Sequence, residues 1–278
     1  MIQNPAVKEV ENYVHALQVG FELVQQNEIL SLNIIRTIQE KIVQNNAGFR
    51  KQLGTKLIND QTGKVIYTPP QDYESINELL KNLELYINAP DDDVDPLIRM
   101  AIIHYQFESI HPFYDGNGRT GRIINILYLI QNQLLDLPAF YMSHYIIYNK
   151  ADYYSLLQEV RDKNNWEAWI YYMLDAVEQT AEQTIALIIE IQTIMMDYKK
   201  RIRKILPKMY SQDLLNNLFK HPYTKIAFLE KDLGVSRKTA TKYLDVLVEQ
   251  GFLQKHKIGK TSFYINKPLL NLIVSSFN

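Results

Sequence analysis

The chain has 278 residues, 46% of them hydrophobic and 22% charged, with a formal net charge of −1 and no cysteine. That length and apolar content supply one large core or two ordinary ones, and the missing thiols exclude disulfides, thiolate nucleophiles and cysteine zinc sites. No run of about 18 uncharged apolar residues occurs and charges begin early, so neither a membrane span nor a signal peptide is expected, and the protein reads as cytoplasmic.

The small net charge hides an asymmetry. Residues 199–278 hold 16 Lys and Arg against 5 Asp and Glu, a balance of +11, whereas residues 1–198 hold 14 against 26, a balance of −12. Two domains of opposite electrostatic character are expected, with a boundary near Pro207: residues 1–205 and 206–278. The basic part invites a polyanion.

Helical periodicity dominates the first part. Apolar residues at three- and four-residue spacing predict helices over Pro5–Gln26 and Glu28–Asn45, with Ser31 and Asn33 as points of capping or interruption. Short stretches at Lys56–Asn59 and Lys64–Tyr67, separated by Asp60-Gln61-Thr62-Gly63, predict a β-hairpin that Pro69-Pro70 stops. Helical spacing resumes over Asp72–Asn88. After the acidic turn at Asp91–Asp93, Asp95 as N-cap and Pro96 at the first helical position introduce a buried helix through Leu97–Phe107. A loop follows at His111–Asn117, then a helix over Arg119–Gln131 and several more within Ser143–Lys204. The absence of a Gly/Ser linker near Lys199–Lys204 predicts that a helix joins the two parts.

The loop reads His111-Pro112-Phe113-Tyr114-Asp115-Gly116-Asn117-Gly118-Arg119-Thr120-Gly121-Arg122. Gly116 and Gly118 permit close approach of backbone to phosphate. The amides that open the next helix form an anion nest, reinforced by the helix dipole. Asp115 can hold a Mg²⁺ shared with phosphate oxygens. Arg119 and Arg122, three apart, can clamp one polyphosphate. A neutral His111 just outside the nest can take a proton from a hydroxyl. Each feature alone is commonplace: a structural histidine, a turn, a solvated arginine pair. Phe113 is expected in the core.

This segment resembles the Fic motif, His-x-Phe-x-(Asp/Glu)-Gly-Asn-Gly-Arg-x-x-Arg, at every defined position, and the resemblance extends over roughly residues 1–200. The hairpin before Tyr67-Thr68-Pro69-Pro70 is similar to the family's target-docking flap, and Ser143-His144-Tyr145 through Tyr153-Tyr154 to the helix entry beside its adenine pocket. The resemblance implies a mainly α, Fic-type helical domain that transfers AMP from ATP to a Ser, Thr or Tyr hydroxyl of a protein, releasing pyrophosphate. It implies His111 as general base and Asp115 as Mg²⁺ ligand. Asn117, with the backbone of Gly116 and Gly118, would hold the α-phosphate. Arg119 and Arg122 would hold the terminal phosphates, Thr120 and Gly121 would complete the nucleotide-binding segment, and Tyr153 would line the base side. Many members restrain themselves with an inhibitory helix carrying (Ser/Thr)-x-x-x-Glu-(Gly/Asn), whose glutamate pairs with the second motif arginine. No such motif occurs here, which predicts an Arg122 not bonded to an internal glutamate.

The basic part predicts helices at Asp213–Phe219, Lys225–Leu233 and Arg237–Gln250, the last capped by Ser236, then strands at Phe252–Lys257 and Thr261–Ile265 around Ile258-Gly259-Lys260. This resembles a small winged helix-turn-helix domain. Arg237, Lys238, Thr239 and Lys242 on the candidate recognition helix, with Lys255, Lys257 and Lys260 on the wing, suit DNA phosphates. The same module can also serve dimerisation, as a homodimer, or target docking. Three functions follow: an AMP transferase, a nucleotide-sensing DNA-binding regulator without turnover, and an enzyme that removes AMP. His111 favours the first, because a pure sensor needs no base.

Overall fold

A computed structural model describes residues 5–58, 63–90 and 93–276. It divides into two compact units, residues 1–180 and 181–278.

The first unit is mainly helical. α1 (Pro5–Asn27) lies against α2 (Leu32–Val43), and the two meet α5 (Asn117–Gln131). Gly20 of α1 makes that approach: a Cβ there would lie 2.8 Å from Leu127 and 3.0 Å from Ile38. Ser31 takes the capping role: its side chain accepts from the amide of Ile34, so α2 begins later than the expected Glu28, which has a left-handed φ of 58°. β1 (Leu57–Ile58) and β2 (Val65–Tyr67) pair antiparallel as the expected hairpin; Asn59 and the turn residues Asp60-Gln61-Thr62 fall outside the described residues, as do Asp91 and Asp92 of the acidic turn. Asp72 caps α3 (Tyr73–Ile87) through the amide of Ser75. Asp95 caps α4 (Pro96–Ile110), with Pro96 where no amide donor is needed.

α4 is buried on nearly every side, which is why its apolar residues show no single stripe. Ile76 and Leu80 of α3, Met100 and Phe107 of α4, and Ile123 and Leu127 of α5 are all fully buried in its surroundings. Next come α6 (Ser143–Tyr148), α7 (Lys150–Lys163) and the start of α8 (Trp166–Ile205). Trp169 of α8 is fully buried, donates to the carbonyl of Ala101 at 2.9 Å and stacks on His104 of α4.

α8 is a single 40-residue helix. The units divide inside it, between Thr180 and Ala181, whereas the sequence placed the boundary at 205/206. The physical reason is packing: Tyr198 and Ile202, near the end of α8, are buried in the core of the second unit.

The second unit continues with α9 (Gln212–Lys220), β3 (Tyr223–Thr224), α10 (Ile226–Leu233), α11 (Arg237–Glu249), β4 (Gln254–Ile258), β5 (Thr261–Ile265) and α12 (Lys267–Ser276). Its sheet order is β3-β5-β4, antiparallel throughout. Helix, strand, two helices and a hairpin follow one another in this unit. Ser236 caps α11 through the amide of Thr239, and Gly234 ends α10 at a φ of 64°. β3 and α12 lay outside the sequence expectation; β3 is two residues long, too short to leave a periodic signal. Asn266 ties the core, accepting from the Tyr198 hydroxyl at 3.1 Å and donating to the carbonyl of Leu218 at 3.2 Å.

Candidate functional site

The site lies in the first unit where α4 ends and α5 begins. His111 closes α4 as its C-cap in the left-handed region, φ 48°, with its amide donating to the carbonyl of Phe107 at 3.0 Å. That conformation costs a residue with a Cβ about 1–2 kcal/mol, and the surroundings hold it. Phe113 is fully buried against Phe49 and Phe107. The Tyr114 hydroxyl accepts from the amide of Lys51 at 2.9 Å, and Gln39 of α2 donates to the carbonyl of Asp115 at 3.0 Å.

Asn117 serves the loop rather than its mouth. Its side-chain oxygen accepts from the amide of Phe113 at 2.9 Å and its amide nitrogen donates to the carbonyl of Phe113 at 2.8 Å, and the residue is 3% exposed. Each end of the side chain thus has one partner in the loop, and the amide nitrogen keeps a second hydrogen to donate. Gly116 is the N-cap of α5 at φ 82°, and a Cβ there would lie 3.0 Å from Val43. Its amide donates to Asp115, while no side chain caps α5 itself. The opening amides of α5 are thus left for a ligand.

The two arginines have different surroundings. Arg119 reaches outward, pairing with Glu9 of α1 at 2.8 Å and with Asp115 at 3.2 Å. Arg122 turns inward over Gly118, its Nη1 3.2 Å from where a Cβ would stand. Among the described residues Arg122 forms no ion pair, and its buried Nε has no hydrogen-bond partner. Beside it sits a carboxyl the motif does not contain. Glu108 of α4 is 9% exposed, and its Oε1 lies 2.7 Å from a Cβ built at Gly121 and has no partner. Burial pushes the Glu108 carboxyl up to about 7, against the nearby positive charges of Arg122 and Arg161.

Thr120 and Gly121 face the core rather than the mouth. Thr120 is fully buried with its hydroxyl unpartnered, and Gly121 is there because Glu108, Phe107 and His104 leave no room for a side chain. Tyr153 of α7 is likewise core: it is 4% exposed, its hydroxyl lies 2.9 Å from Nε2 of His104, and its ring packs on Trp169. Those three residues were expected on the ligand side. Positions 120 and 121 stand on the buried side of α5, and Tyr153 packs into the core from α7.

Burial pushes the His111 imidazole down to about 4, with the cations Arg50 and Arg161 adding to the effect. The ring is thus neutral at pH 7 and able to accept a proton. Its Nδ1 is buried and unpartnered. Asp115, whose side chain is 71% exposed, offers one carboxylate at the mouth, now shared with Arg119. A single exposed carboxylate fits a Mg²⁺ that takes its remaining ligands from phosphate and water. Among the described residues no group of three or more acidic or histidine side chains forms a metal cluster.

Three residues that support the site carried no sequence signal. Arg50, Glu108 and Arg161 are isolated charges in otherwise ordinary segments, and only the fold brings them to His111 and Arg122.

The uncapped N-terminus of α5, two arginines and a neutral imidazole meet at one helix junction of a helical domain, an arrangement that can hold a phosphate beside a proton acceptor. Residues 29–129 match the model of the Fic/DOC family, and residues 194–269 match that of the C-terminal domain of SoFic-like protein adenylyltransferases. The chain is 28% identical over 163 residues to a probable protein adenylyltransferase of Aquifex aeolicus, covering 57% of this chain and 47% of that protein. It is also 28% identical over 117 residues to protein adenylyltransferase fic-1 of Caenorhabditis elegans, 42% of this chain and 22% of the relative. The chain spans about half the length, or less, of these relatives. A Fic family protein from Desulfovibrio desulfuricans G20 shares the fold, with a TM-score of 0.56 at 18% identity over 95% of this chain and 77% of the other.

Proposed function

We propose that this chain transfers AMP from ATP to a Ser, Thr or Tyr hydroxyl of a target protein and releases pyrophosphate. The observation that carries the reading is the uncapped N-terminus of α5 with Arg119 and Arg122 in its opening turns and a neutral His111 across the loop. The names of the matching relatives agree with it. The hydroxyl oxygen attacks the α-phosphorus as its proton passes to His111, and the bond from that phosphorus to the bridging oxygen of the β-phosphate breaks. His111 receives the proton on Nε2, because Nδ1 is enclosed. The amides of α5 and the two guanidinium groups hold the phosphates, Arg119 exchanging Glu9 and Asp115 for the ligand. Mg²⁺ held by Asp115 would supply neutralisation of the phosphate charge. The pair β1–β2, with Ile58 and Val65 exposed, offers backbone to a target segment by strand addition.

The test is incubation with ATP labelled at the α-phosphate, Mg²⁺ and candidate targets. Label should appear on protein with the wild type and not with His111→Ala, which should still bind ATP; Arg122→Ala should instead bind ATP more weakly. Equal labelling by wild type and His111→Ala would overturn the mechanism.

The C-terminal domain favours a nucleic-acid partner through one observation. Arg237, Lys238 and Lys242 on α11 and Lys257 and Lys260 on the hairpin are exposed, while Lys255 is held by Asp245 at 2.8 Å. Duplex binding that weakens steeply with salt would support this, and no binding at low salt would exclude it.

A further inference from the structure

The last carbonyls of a helix have no partners within it, and a buried helix end must find them elsewhere. At the end of α4 they are met from the segment that leads into and out of the hairpin. Arg50 is fully buried, and its guanidinium donates from Nε to the carbonyl of His111 at 2.8 Å and from Nη2 to the carbonyls of Ile110, at 3.3 Å, and Pro70. Its own amide donates to the carbonyl of Pro112 at 2.8 Å. Tyr67, at the end of β2, donates its hydroxyl to the carbonyl of Ser109 at 2.9 Å, with Arg161 stacked 3.8 Å over its ring. Four consecutive carbonyls, 109 to 112, are thus held by Arg50, ahead of the hairpin, and Tyr67, its last residue. One buried cation touches both the residue that bears the base and Pro70, the exit of the strand offered to the target.

We infer that Arg50 is a positioning residue that locks the backbone of His111 to the hairpin, so that the proton acceptor and the docked target hydroxyl keep one register. The inference rests on the AMP-transfer reading for its kinetic consequence and on geometry alone for its structural one. A guanidinium suits the task because its planar fork reaches several acceptors at once, which an ammonium on a longer, flexible stem does not. It makes no bond to the opening residues of α5: its guanidinium partners are the carbonyls of Ile110 and His111 at the end of α4 and that of Pro70 beyond the hairpin. Its positive charge beside the imidazole also helps to keep that ring neutral, a second consequence of the same placement.

The experiment uses the whole chain with Arg50→Met and Arg50→Lys, the second keeping the charge but not the fork. Three quantities are read: the rate of AMP transfer, the affinity for ATP by titration calorimetry, and the His111 imidazole titration by NMR, assigned through His111→Ala. Transfer should fall about 10- to 100-fold in both variants, the scale of an ångström-sized misplacement. ATP affinity should stay within about twofold, since no nest residue is altered. The imidazole should titrate at higher pH in Arg50→Met and stay depressed in Arg50→Lys. Transfer unchanged in Arg50→Lys, or transfer and ATP affinity falling together, would overturn the inference. If Arg50→Met does not fold, Arg50→Lys decides through the split between rate and affinity. If the wild type labels no protein, the AMP-transfer reading fails separately, and the imidazole titration still decides: identical titration in wild type and Arg50→Met would overturn the placement.

Discussion

Glu108→Gln should change how the first unit responds to acid. The carboxyl stands at 4.5 in an unfolded chain and is raised to about 7 in the folded one, chiefly by burial. A group raised on folding stabilises the folded state most below its unfolded value, and that contribution is lost as pH rises through its folded value. The span from 4.5 to about 7 corresponds to about 3 kcal/mol. Wild type should therefore gain about 3 kcal/mol relative to Glu108→Gln on moving from pH 8 to pH 4.5, with most of the change between pH 7 and pH 4.5. The buried His104 and the partly buried His111 are held near 4 and lose stability over part of the same window, but they do so in both proteins and cancel in the difference. Urea denaturation followed by tryptophan fluorescence is the assay, because Trp166 and Trp169 are the only tryptophans and both lie in the first unit. With a slope of about 2 kcal/mol per molar urea, the gap between the two midpoints should change by about 1.5 M across that range. Stability curves that stay parallel from pH 8 to pH 4.5 would refute the reasoning, since the carboxyl would then be ionised alike in both states.

Other consequences are simpler to state. The transfer rate should show no acid limb near pH 6.5 and should decline only as pH approaches about 4, because the imidazole is depressed and stays neutral above that value; pH–rate profiles of kcat/KM check this. Gly116→Ala should cost roughly 1–2 kcal/mol from its left-handed backbone alone, with further loss from contact with Val43, and should weaken ATP binding; urea midpoints and calorimetry measure both. Trp169→Ala should cost about 3–5 kcal/mol, measured by urea denaturation followed by far-UV circular dichroism, since it empties a fully buried site and removes a donor from the carbonyl of Ala101.

The helices of the first unit could be read because their ends carry chemistry as well as periodicity. Ser31 and Asp95 each cap the helix that follows, and the hairpin was marked by the change of spacing before Pro69-Pro70. The motif located the junction of α4 and α5, and it could not give the direction each residue faces. Asn117 bonds within the loop, and Thr120, Gly121 and Tyr153 lie in the core, a matter of helical phase and of which neighbour lies behind. Arg50 and Glu108 were illegible for a different reason. Their partners stand dozens of residues away or several turns along, and a lone charge in a sequence looks the same whether it meets solvent or a buried carbonyl. The domain boundary was placed late because charge changes near residue 199, whereas packing changes sooner: helix α8 lends Tyr198 and Ile202 to the second core.

The pair of bonds between Asn117 and Phe113 has a consequence for the thermodynamics of ligand capture. Two hydrogen bonds across four residues close a small ring that sets the loop's shape during folding, before any nucleotide arrives. The conformational entropy of the loop is then lost once, in folding, and not again at each encounter. A nucleotide meets a cradle already formed, so its association should be limited by diffusion and by the departure of Arg119 from Glu9, and not by any ordering of the backbone that receives it.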